Sequence, residues 1–270
     1  MLTSTFSHIQ GITSDSEAHL WASGIEDWNC INQSSIFPDR FPEYLKQRLK
    51  HGVAASRLAL ETRNVSYFAV RLRQIEHWRA ASAFQLCCLD IETDGGRDAA
   101  SVSLVGLHDG TQYQPFLRGA NLESLPSVMA KYDGFVTFYG SGFDLPILQS
   151  RFPVLSSVLR ARLHIDLCHL YHGLGIPGGM KSIEKTMGIA RADDLDNLTG
   201  ADAAYLSRSY LSGGEDASQS LTKLLRYNEL DTANLWVLFS LILPKLYERA
   251  GYPNRVWRGI IESARDVQAS

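Results

Sequence analysis

The apolar and polar positions follow two rhythms along the chain, with a change near residue 82. Before it, the spacing of apolar residues is mainly helical, and an Asp cap and a Gly stop bound the first stretch. These stretches are "DSEAHLWASG", "FPEYLKQRLKHG" and "AASRLALETRN". The next one, "VSYFAVRLRQIEHWRA", fits either a strand or a helix. Residues 1–80 are therefore predicted to form a small, mainly helical N-terminal region.

From Phe84 onward the pattern changes to short apolar runs separated by turns. Three runs predict an antiparallel meander of strands: "FQLCCLDIET", "ASVSLVGLHDG" and "TQYQPFLRG". Further stretches then alternate between helix and strand: "NLESLPSVMAKYD" (helix), "GFVTFYG" (strand), "FDLPILQSRFP" (helix), "RLHIDLCHLYHGL" (a strand running into a loop or helix), "GGMKSIEKTMGI" and "GADAAYLSRSYLSGG" (helices), and the long helix "SLTKLLRYNELDTANLWVLFSLILPKLYERA". This order predicts an α/β domain over residues 84–246, a mixed sheet flanked by helices, with residues 247–270 as a C-terminal extension.

Composition supports a globular protein without a global affinity for polyanions. Apolar residues make up 45% of the chain and charged residues 20%, and the formal net charge is −3. Any contact with phosphate must therefore come from a local patch. Residues 1–38 contain four acidic residues and no Lys or Arg, whereas residues 39–80 contain nine basic and four acidic residues.

Targeting and redox signals favour a cytoplasmic location. The N-terminus lacks the cationic start and the long apolar run of a secretory signal. The longest apolar stretch, "LWVLFSLIL", is too short to span a bilayer, so no membrane partner is expected. The four cysteines are predicted to be buried thiols in a reducing compartment, because none forms a C-x-x-C pair.

Two carboxylates stand at the end of the first predicted strand. Asp90 and Glu92 are two residues apart, so they project from the same face of that strand. Carboxylates held so close repel each other unless one is protonated or a cation joins them, and oxygen ligands suit Mg²⁺ or Mn²⁺. The alternative is that Asp90 caps the strand and Glu92 is solvated. For an isolated D-x-E pair that alternative is the more common one.

Two further acids change this balance. Asp144 directly follows the fourth predicted strand, although it could simply cap the next helix. Asp231 lies inside a strongly apolar helix, where Asp is unfavourable, so its presence there suggests a specific role. Tyr227 is four residues earlier on the same helical face. The acids and the tyrosine could together form a metal cage.

At these residues the chain resembles a known group of nucleases. "DIET", "GFDLP" and "YNELD" resemble the three motifs of the DEDD 3′–5′ exonucleases of the ribonuclease H-like superfamily. The Tyr-x-x-x-Asp spacing is similar to the Tyr-bearing branch, since Arg226 stands where the other branch has His. The order of "GGMKSIEKTMGI", "GADAAYLSRSYLSGG" and "LLRYNELD" resembles the YprB-type ribonuclease H-like family. The resemblance covers residues 84–246.

The resemblance implies a ribonuclease H-like fold and a role for each matching residue. Two divalent cations, Mg²⁺ or Mn²⁺, would be held by four acids, with Asp90 bridging both: Asp90, Glu92, Asp144 and Asp231. Tyr227 would orient or deprotonate the attacking water. The expected substrate-binding residues are Thr93, Phe143 and Lys181. Tyr139 stands where the second motif usually has Asn.

The predicted function is therefore metal-dependent 3′–5′ exonuclease activity on single-stranded or 3′-frayed DNA or RNA. One alternative is a catalytically inactive ribonuclease H-like module that binds nucleic acid. Another is a nucleotide-binding oxidoreductase built on "GLGIPG", which is disfavoured because no long buried strand leads directly into it.

The N-terminal region offers two weaker signals. "HIQGITSDSEAHLWASGIEDW" resembles a degenerate helix-hairpin-helix but contains no Lys or Arg, so a structural role is favoured. The basic segment that follows has Tyr67, Phe68 and Trp78 interleaved with its cations. This segment is either a nucleic-acid-binding surface or a solvated helical face.

Overall fold

The computed structural model describes residues 2–32, 37–38 and 41–253. The chain forms two compact units, of which the first takes in Met1–Gln85, Arg160–Leu163 and Ser240–Ser270. The second takes in Leu86–Leu159 and His164–Phe239. Most of the predicted C-terminal extension, from residue 254 on, lies outside the described residues. Among the residues described, no helix combines the length and the apolar character needed to cross a bilayer.

The N-terminal part of the first unit is helical, as the apolar spacing predicts. The ambiguous stretch after residue 64 is also helical, and Asn64 caps its first helix by accepting from the backbone N–H of Tyr67. The two stretches before it form one continuous helix. The helices are α1 (Ser14–Ala22), α2 (Glu43–Glu61) and α3 (Val65–Ala69), with 3₁₀ segments at Leu2–Ser4, Cys30–Asn32 and Gln74–Ala83.

Two of the aromatic residues in the basic segment belong to the core of the first unit. Phe68 is 0% exposed and Trp78 is 4% exposed, so neither can stack on a nucleobase. Only Tyr67 is half-buried, and the guanidinium of Arg71 lies 3.9 Å from its ring centroid. The hypothesis of an interleaved aromatic surface is wrong for Phe68 and Trp78, because burial of their large apolar area stabilises this small unit.

The second unit contains a five-stranded mixed sheet in the order β3-β2-β1-β4-β5. The first three strands form the predicted antiparallel meander, and β4 pairs with β1 in parallel. The strands are β1 (Leu86–Thr93), β2 (Val102–His108), β3 (Tyr113–Leu117), β4 (Gly134–Thr137) and β5 (Leu163–Asp166). The predicted α/β class and mixed sheet flanked by helices are confirmed.

Helices account for most of the remainder of this unit. Asp144 is the first residue of α5 rather than the residue that caps it. The segment "GLGIPG" begins at the last residue of α7 and ends before α8, so it joins two helices and lacks the preceding strand of a dinucleotide fingerprint. The helices are α4 (Leu125–Met129), α5 (Asp144–Arg151), α6 (Leu155–Arg160), α7 (Leu167–Gly173), α8 (Met180–Thr186), α9 (Asp193–Asp196), α10 (Gly200–Ser212) and α11 (Ala217–Ala250), with a 3₁₀ segment at Leu122–Ser124.

Alternation along β1 gives the sheet two different faces. Leu89 and Ile91 belong to a buried cluster with Val105 and other apolar residues. The intervening residues point the other way, where Asp90 lies opposite Gly106 and Glu92 lies opposite Leu104 in the register with β2. Leu104 packs on that face with apolar residues of α10 and α11. The two acids of β1 therefore share the face that α11 covers.

All four cysteines are free thiols. Cys87, Cys88 and Cys168 are buried, as predicted, and burial raises the pKa of Cys87 to about 12. Cys30 is half-buried, which differs from the prediction.

Candidate metal centre

Three of the predicted acids converge on one point. Asp90 and Glu92 on β1 and Asp231 on α11 each offer a carboxylate oxygen, and these oxygens lie within 4.8 Å of one another. Glu92 is 7% exposed and Asp231 is 8% exposed, so the alternative of a solvated Glu92 is wrong. Three oxygen ligands at this spacing form a donor set that suits a hard divalent cation.

Asp144 lies beside this group without belonging to it. Its Oδ1 accepts a hydrogen bond of 3.1 Å from the backbone N–H of Ile91, which stands between the two strand acids. The side chain is 4% exposed, and burial raises the pKa of Asp144 to about 7. The side chain of the fourth predicted acid, Asp144, therefore contacts β1 at Ile91, the residue between Asp90 and Glu92.

Burial and mutual repulsion disfavour the ionised form of the acids in the centre, and a bound cation would offset both. Burial raises the pKa of Asp90 well above its usual range, and the carboxylate of Glu92 adds to this. Burial likewise raises the pKa of Glu92, with Asp231 as the next cause. For Asp231, burial raises the pKa and the guanidinium of Arg191 partly offsets it. A divalent cation would relieve the desolvation and the mutual repulsion together, so the residues present fit such an ion.

A cavity of about 190 Å³ opens onto the acids. It is lined by Asp90, Ile91, Glu92, Thr93, Phe143, Gly200, Tyr227 and Asp231. Two of the expected substrate-binding residues, Thr93 and Phe143, therefore face the site. Lys181 does not line the cavity, since its Nζ donates to the backbone oxygen of Leu198 and lies 5.1 Å from the ring centroid of Tyr227.

Tyr227 lines the cavity from α11. Its side chain is 6% exposed, and burial, followed by the charge of Asp231, raises the pKa of its phenol. The ring lies near two cations, Lys181 at 5.1 Å and Arg191 at 5.9 Å from the centroid. The phenol is therefore protonated near neutral pH in the metal-free site and is able to donate a hydrogen bond.

Two polar residues in the centre have no counterpart in the sequence prediction. Asn228 donates through Nδ2 to Asp90 Oδ2 at 2.8 Å, and Arg191 Nη1 lies 2.5 Å from Asp231 Oδ1. Asn228 could have been suspected, because a buried Asn inside an apolar helix next to Tyr227 needs a hydrogen-bonding partner. Arg191 gives no such signal, since it lies between α8 and α9 at no motif spacing from the acids.

Tyr139 occupies a strained backbone position. Its φ is 60°, in the left-handed region that Asn adopts far more readily than an aromatic residue. The carboxylate of Asp166 stabilises this turn by accepting from the backbone N–H groups of Tyr139 at 2.8 Å and Ser141 at 3.1 Å. Asp166 also caps α7, where its side chain accepts from the backbone N–H of Cys168 at 3.2 Å.

Comparison with known proteins agrees with this geometry. Residues 87–243, more than half of the chain, match the family model of the RNase H superfamily. A search of curated proteins found no match. The matched segment contains all of the sheet except Leu86, the acidic centre and most of α11. The chain therefore belongs to the RNase H superfamily.

Proposed function

We propose that the protein is a metal-dependent 3′–5′ exonuclease of the Tyr-bearing DEDD branch, acting on single-stranded or 3′-frayed DNA or RNA. The observation that carries the proposal is the approach of Asp90, Glu92 and Asp231 within 4.8 Å, beside a cavity that Tyr227 also lines. Superfamily membership supports a nuclease. The 3′–5′ polarity rests on the resemblance of "DIET", "GFDLP" and "YNELD" to the exonuclease motifs.

The acidic residues would hold two divalent cations, Mg²⁺ or Mn²⁺. Asp90, Glu92 and Asp231 supply carboxylate oxygens that lie close together. Asp144 is beside them, where it accepts a hydrogen bond from the backbone N–H of Ile91. Bound divalent cations would supply Lewis acidity toward the phosphodiester and promote ionisation of the attacking water. The chain itself contributes the positions of the carboxylates and a cavity that opens onto them.

Tyr227 would orient the attacking water rather than remove its proton. Burial, with the charge of Asp231 adding to it, raises the pKa of its phenol, so the hydroxyl keeps its proton when the carboxylates hold no cation. A protonated phenol can donate to a phosphate oxygen and accept from water at the same time. This places its contribution in positioning, which depends on geometry rather than on basicity.

The mouth of the cavity has groups that suit a nucleic-acid strand. Phe143 lines the cavity while packing in part against the buried apolar cluster, and the guanidinium of Arg97 lies 5.4 Å from its ring centroid. Arg97 is exposed, so it is available to a phosphate, while the aromatic ring offers a surface for a base. The alternative of an inactive binding module is less well supported, because all four acids are present at the positions that the motifs require.

Digestion of end-labelled substrates tests the proposal. Single-stranded DNA and RNA, labelled at either end, would be incubated with Mg²⁺, Mn²⁺ or chelator. We expect 5′-labelled strands to give a ladder of shortened products only when metal is present. Asp231→Ala should abolish cleavage, whereas Glu229→Ala, an exposed acid on the same helix, should retain it. Equal cleavage by the wild type and Asp231→Ala would contradict the proposal.

A further inference from the structure

We infer that Asn228 is a positioning residue that fixes the spacing of the two strand carboxylates and so sets the affinity of the centre for a divalent cation. The inference rests on the proposed function, because it assigns a role within the same metal centre. It draws on contacts from three elements, β1, β3 and α11, and on a glycine in β2.

One amide group serves both strand acids. Asn228 Nδ2 lies 2.8 Å from Asp90 Oδ2 and 3.4 Å from Glu92 Oε1, and it is the donor in both contacts. An amide NH₂ has two hydrogens, so it can donate to the two carboxylates at once. Asn228 is 0% exposed, so water does not compete for these contacts.

The orientation of this amide is fixed from its other side. The hydroxyl of Tyr113 donates to Asn228 Oδ1 at 2.9 Å. Carboxylates that hold a cation are ionised and only accept hydrogen bonds, so the NH₂ group faces Asp90 and Glu92 and the oxygen faces Tyr113. Tyr113 therefore holds the amide in the orientation in which it can bind both acids.

A glycine in β2 leaves the space for Asn228. Gly106 lies opposite Asp90 in the register of β1 and β2, and a Cβ at this position would overlap Asn228 Oδ1. Any other residue would push the amide away from the acids or displace Tyr113, whose ring would also meet that Cβ. The absence of a side chain at residue 106 is thus a requirement of the contact.

Asn228 restrains the acids without neutralising them. It is an uncharged donor, so it does not replace the positive charge that a bound cation would bring to the two carboxylates. Its planar amide group sets the separation of the carboxylates. Hydrogen-bonding partners of metal-binding carboxylates typically change metal affinity by about 10–100-fold when they are removed. The loss of Asn228 should act on Asp90 and Glu92 together.

Calorimetric titration with Mn²⁺ tests this role without relying on cleavage. We expect Asn228→Ala to weaken Mn²⁺ binding by about 10–100-fold and Tyr113→Phe to weaken it less, in the same direction. Tyr210→Phe is the matched control, since it loses a phenol hydrogen bond of 2.8 Å to the backbone oxygen of Arg118, on another part of the unit. Urea unfolding in chelator shows whether each variant is folded. If Asn228→Ala does not fold, Tyr113→Phe alone tests the role of the amide.

The outcomes separate this inference from the proposed function. If the wild type binds Mn²⁺ and both Asn228→Ala and Tyr113→Phe bind it equally well, the role of Asn228 is wrong and the nuclease proposal stands. If the wild type binds Mn²⁺ but cleaves no nucleic acid, the nuclease proposal fails while the role of Asn228 in metal binding is still measured. If the wild type binds no Mn²⁺, the metal centre itself is overturned.

Discussion

Arg191 and Asp231 form an enclosed ion pair, with Nη1 of the arginine 2.5 Å from Oδ1 of the aspartate. The same guanidinium donates to both oxygens of Glu184 through Nε and Nη2, each at 2.6 Å. Asn234 also donates to Glu184, at 2.9 Å. The side chains of Arg191 and Glu184 are each 2% exposed. Asp231 thus has a positive partner within the chain, whereas the strand acids are bound by the neutral amide of Asn228.

We expect Arg191→Met to lower the free energy of unfolding by about 3–5 kcal/mol, because it leaves the carboxylates of Glu184 and Asp231 buried without their counter-charge. Arg226→Met is the control, since Arg226 pairs with Asp194 at 2.6 Å but both side chains are about half exposed. That change should cost less than about 1 kcal/mol. Urea unfolding in chelator measures both, and equal costs would contradict the structural importance of the buried pair.

Glu92→Gln should stabilise the metal-free protein and abolish its stabilisation by metal. The substitution keeps the shape of the side chain but removes one charge from a buried group of carboxylates. Relief of that repulsion should raise the free energy of unfolding by about 1–3 kcal/mol, which corresponds to several degrees in Tm. Thermal melts with chelator and with Mn²⁺ measure the two effects, and Glu123→Gln, at a side chain that is 75% exposed, is the control. A metal-dependent shift that survives in Glu92→Gln would argue against this acid as a ligand.

The sheet and the acids were predictable because local patterns determine them. Residues two apart on a strand must share a face, so "DIET" alone places Asp90 and Glu92 together. Asp231 needed only the observation that a charged residue interrupts an apolar helix. Each of these patterns lies within one strand or one helix, so it can be recognised without knowing how the strands pair.

The partners of these acids were not predictable, because they depend on contacts between distant segments. Arg191 lies 40 residues from Asp231 in the chain, and nothing in its neighbourhood marks it as buried. Gly106 resembles any other glycine in a strand until the position of Asn228 is known. The burial of Phe68 and Trp78 likewise depends on how short helical segments pack, which apolar spacing over so few residues does not determine.

Tyr227→Phe should slow cleavage while leaving metal binding nearly intact. The ring would keep its contacts with Lys181 and Arg191, and only the hydroxyl of this cavity-lining residue would be lost. Loss of one group that positions the attacking water should reduce kcat by about 100-fold. Single-turnover rates and Mn²⁺ calorimetry distinguish the two effects, with the exposed Tyr205→Phe as the control. An unchanged kcat would remove Tyr227 from the mechanism.

Tyr139→Asn should stabilise the second unit. The backbone of Tyr139 has a φ of 60°, which costs an aromatic residue about 1–2 kcal/mol and costs Asn less. Tyr139 is 47% exposed, so the substitution loses a partly exposed contact with the ring of His169 at 6.3 Å between centroids, and the backbone N–H can still donate to Asp166. We expect a gain of up to about 1 kcal/mol in urea unfolding. Tyr205→Asn, on the exposed face of α10, should give no gain, and a loss at residue 139 would show that the ring has contacts that outweigh the strain.

His8 should make the first unit sensitive to acid. It is 3% exposed, its Nε2 is 2.7 Å from Ser56 Oγ, and burial lowers its pKa to about 3, with Arg71 and Arg79 adding repulsion. In the unfolded chain the pKa of His is about 6.5, so between these values the unfolded state binds more protons. The free energy of unfolding should therefore fall as the pH falls from about 6.5, by at most about 1.4 kcal/mol per pH unit from this residue.

His8→Gln isolates this contribution, because Gln can also hydrogen-bond to Ser56 but does not titrate. We expect the variant to be less stable than the wild type at pH 7, since it loses the packing of the ring against Trp28 and Phe68 at centroid distances of 5.8 and 5.5 Å. The difference in the free energy of unfolding should shrink as the pH is lowered toward 4.5. At that pH the unfolded wild type binds a proton at His8 that the folded wild type does not, whereas the variant has no such group. Urea unfolding at several pH values, with the exposed His19→Gln as the control, measures the slope. Parallel pH profiles for His8→Gln and the wild type would mean that His8 takes up its proton without unfolding.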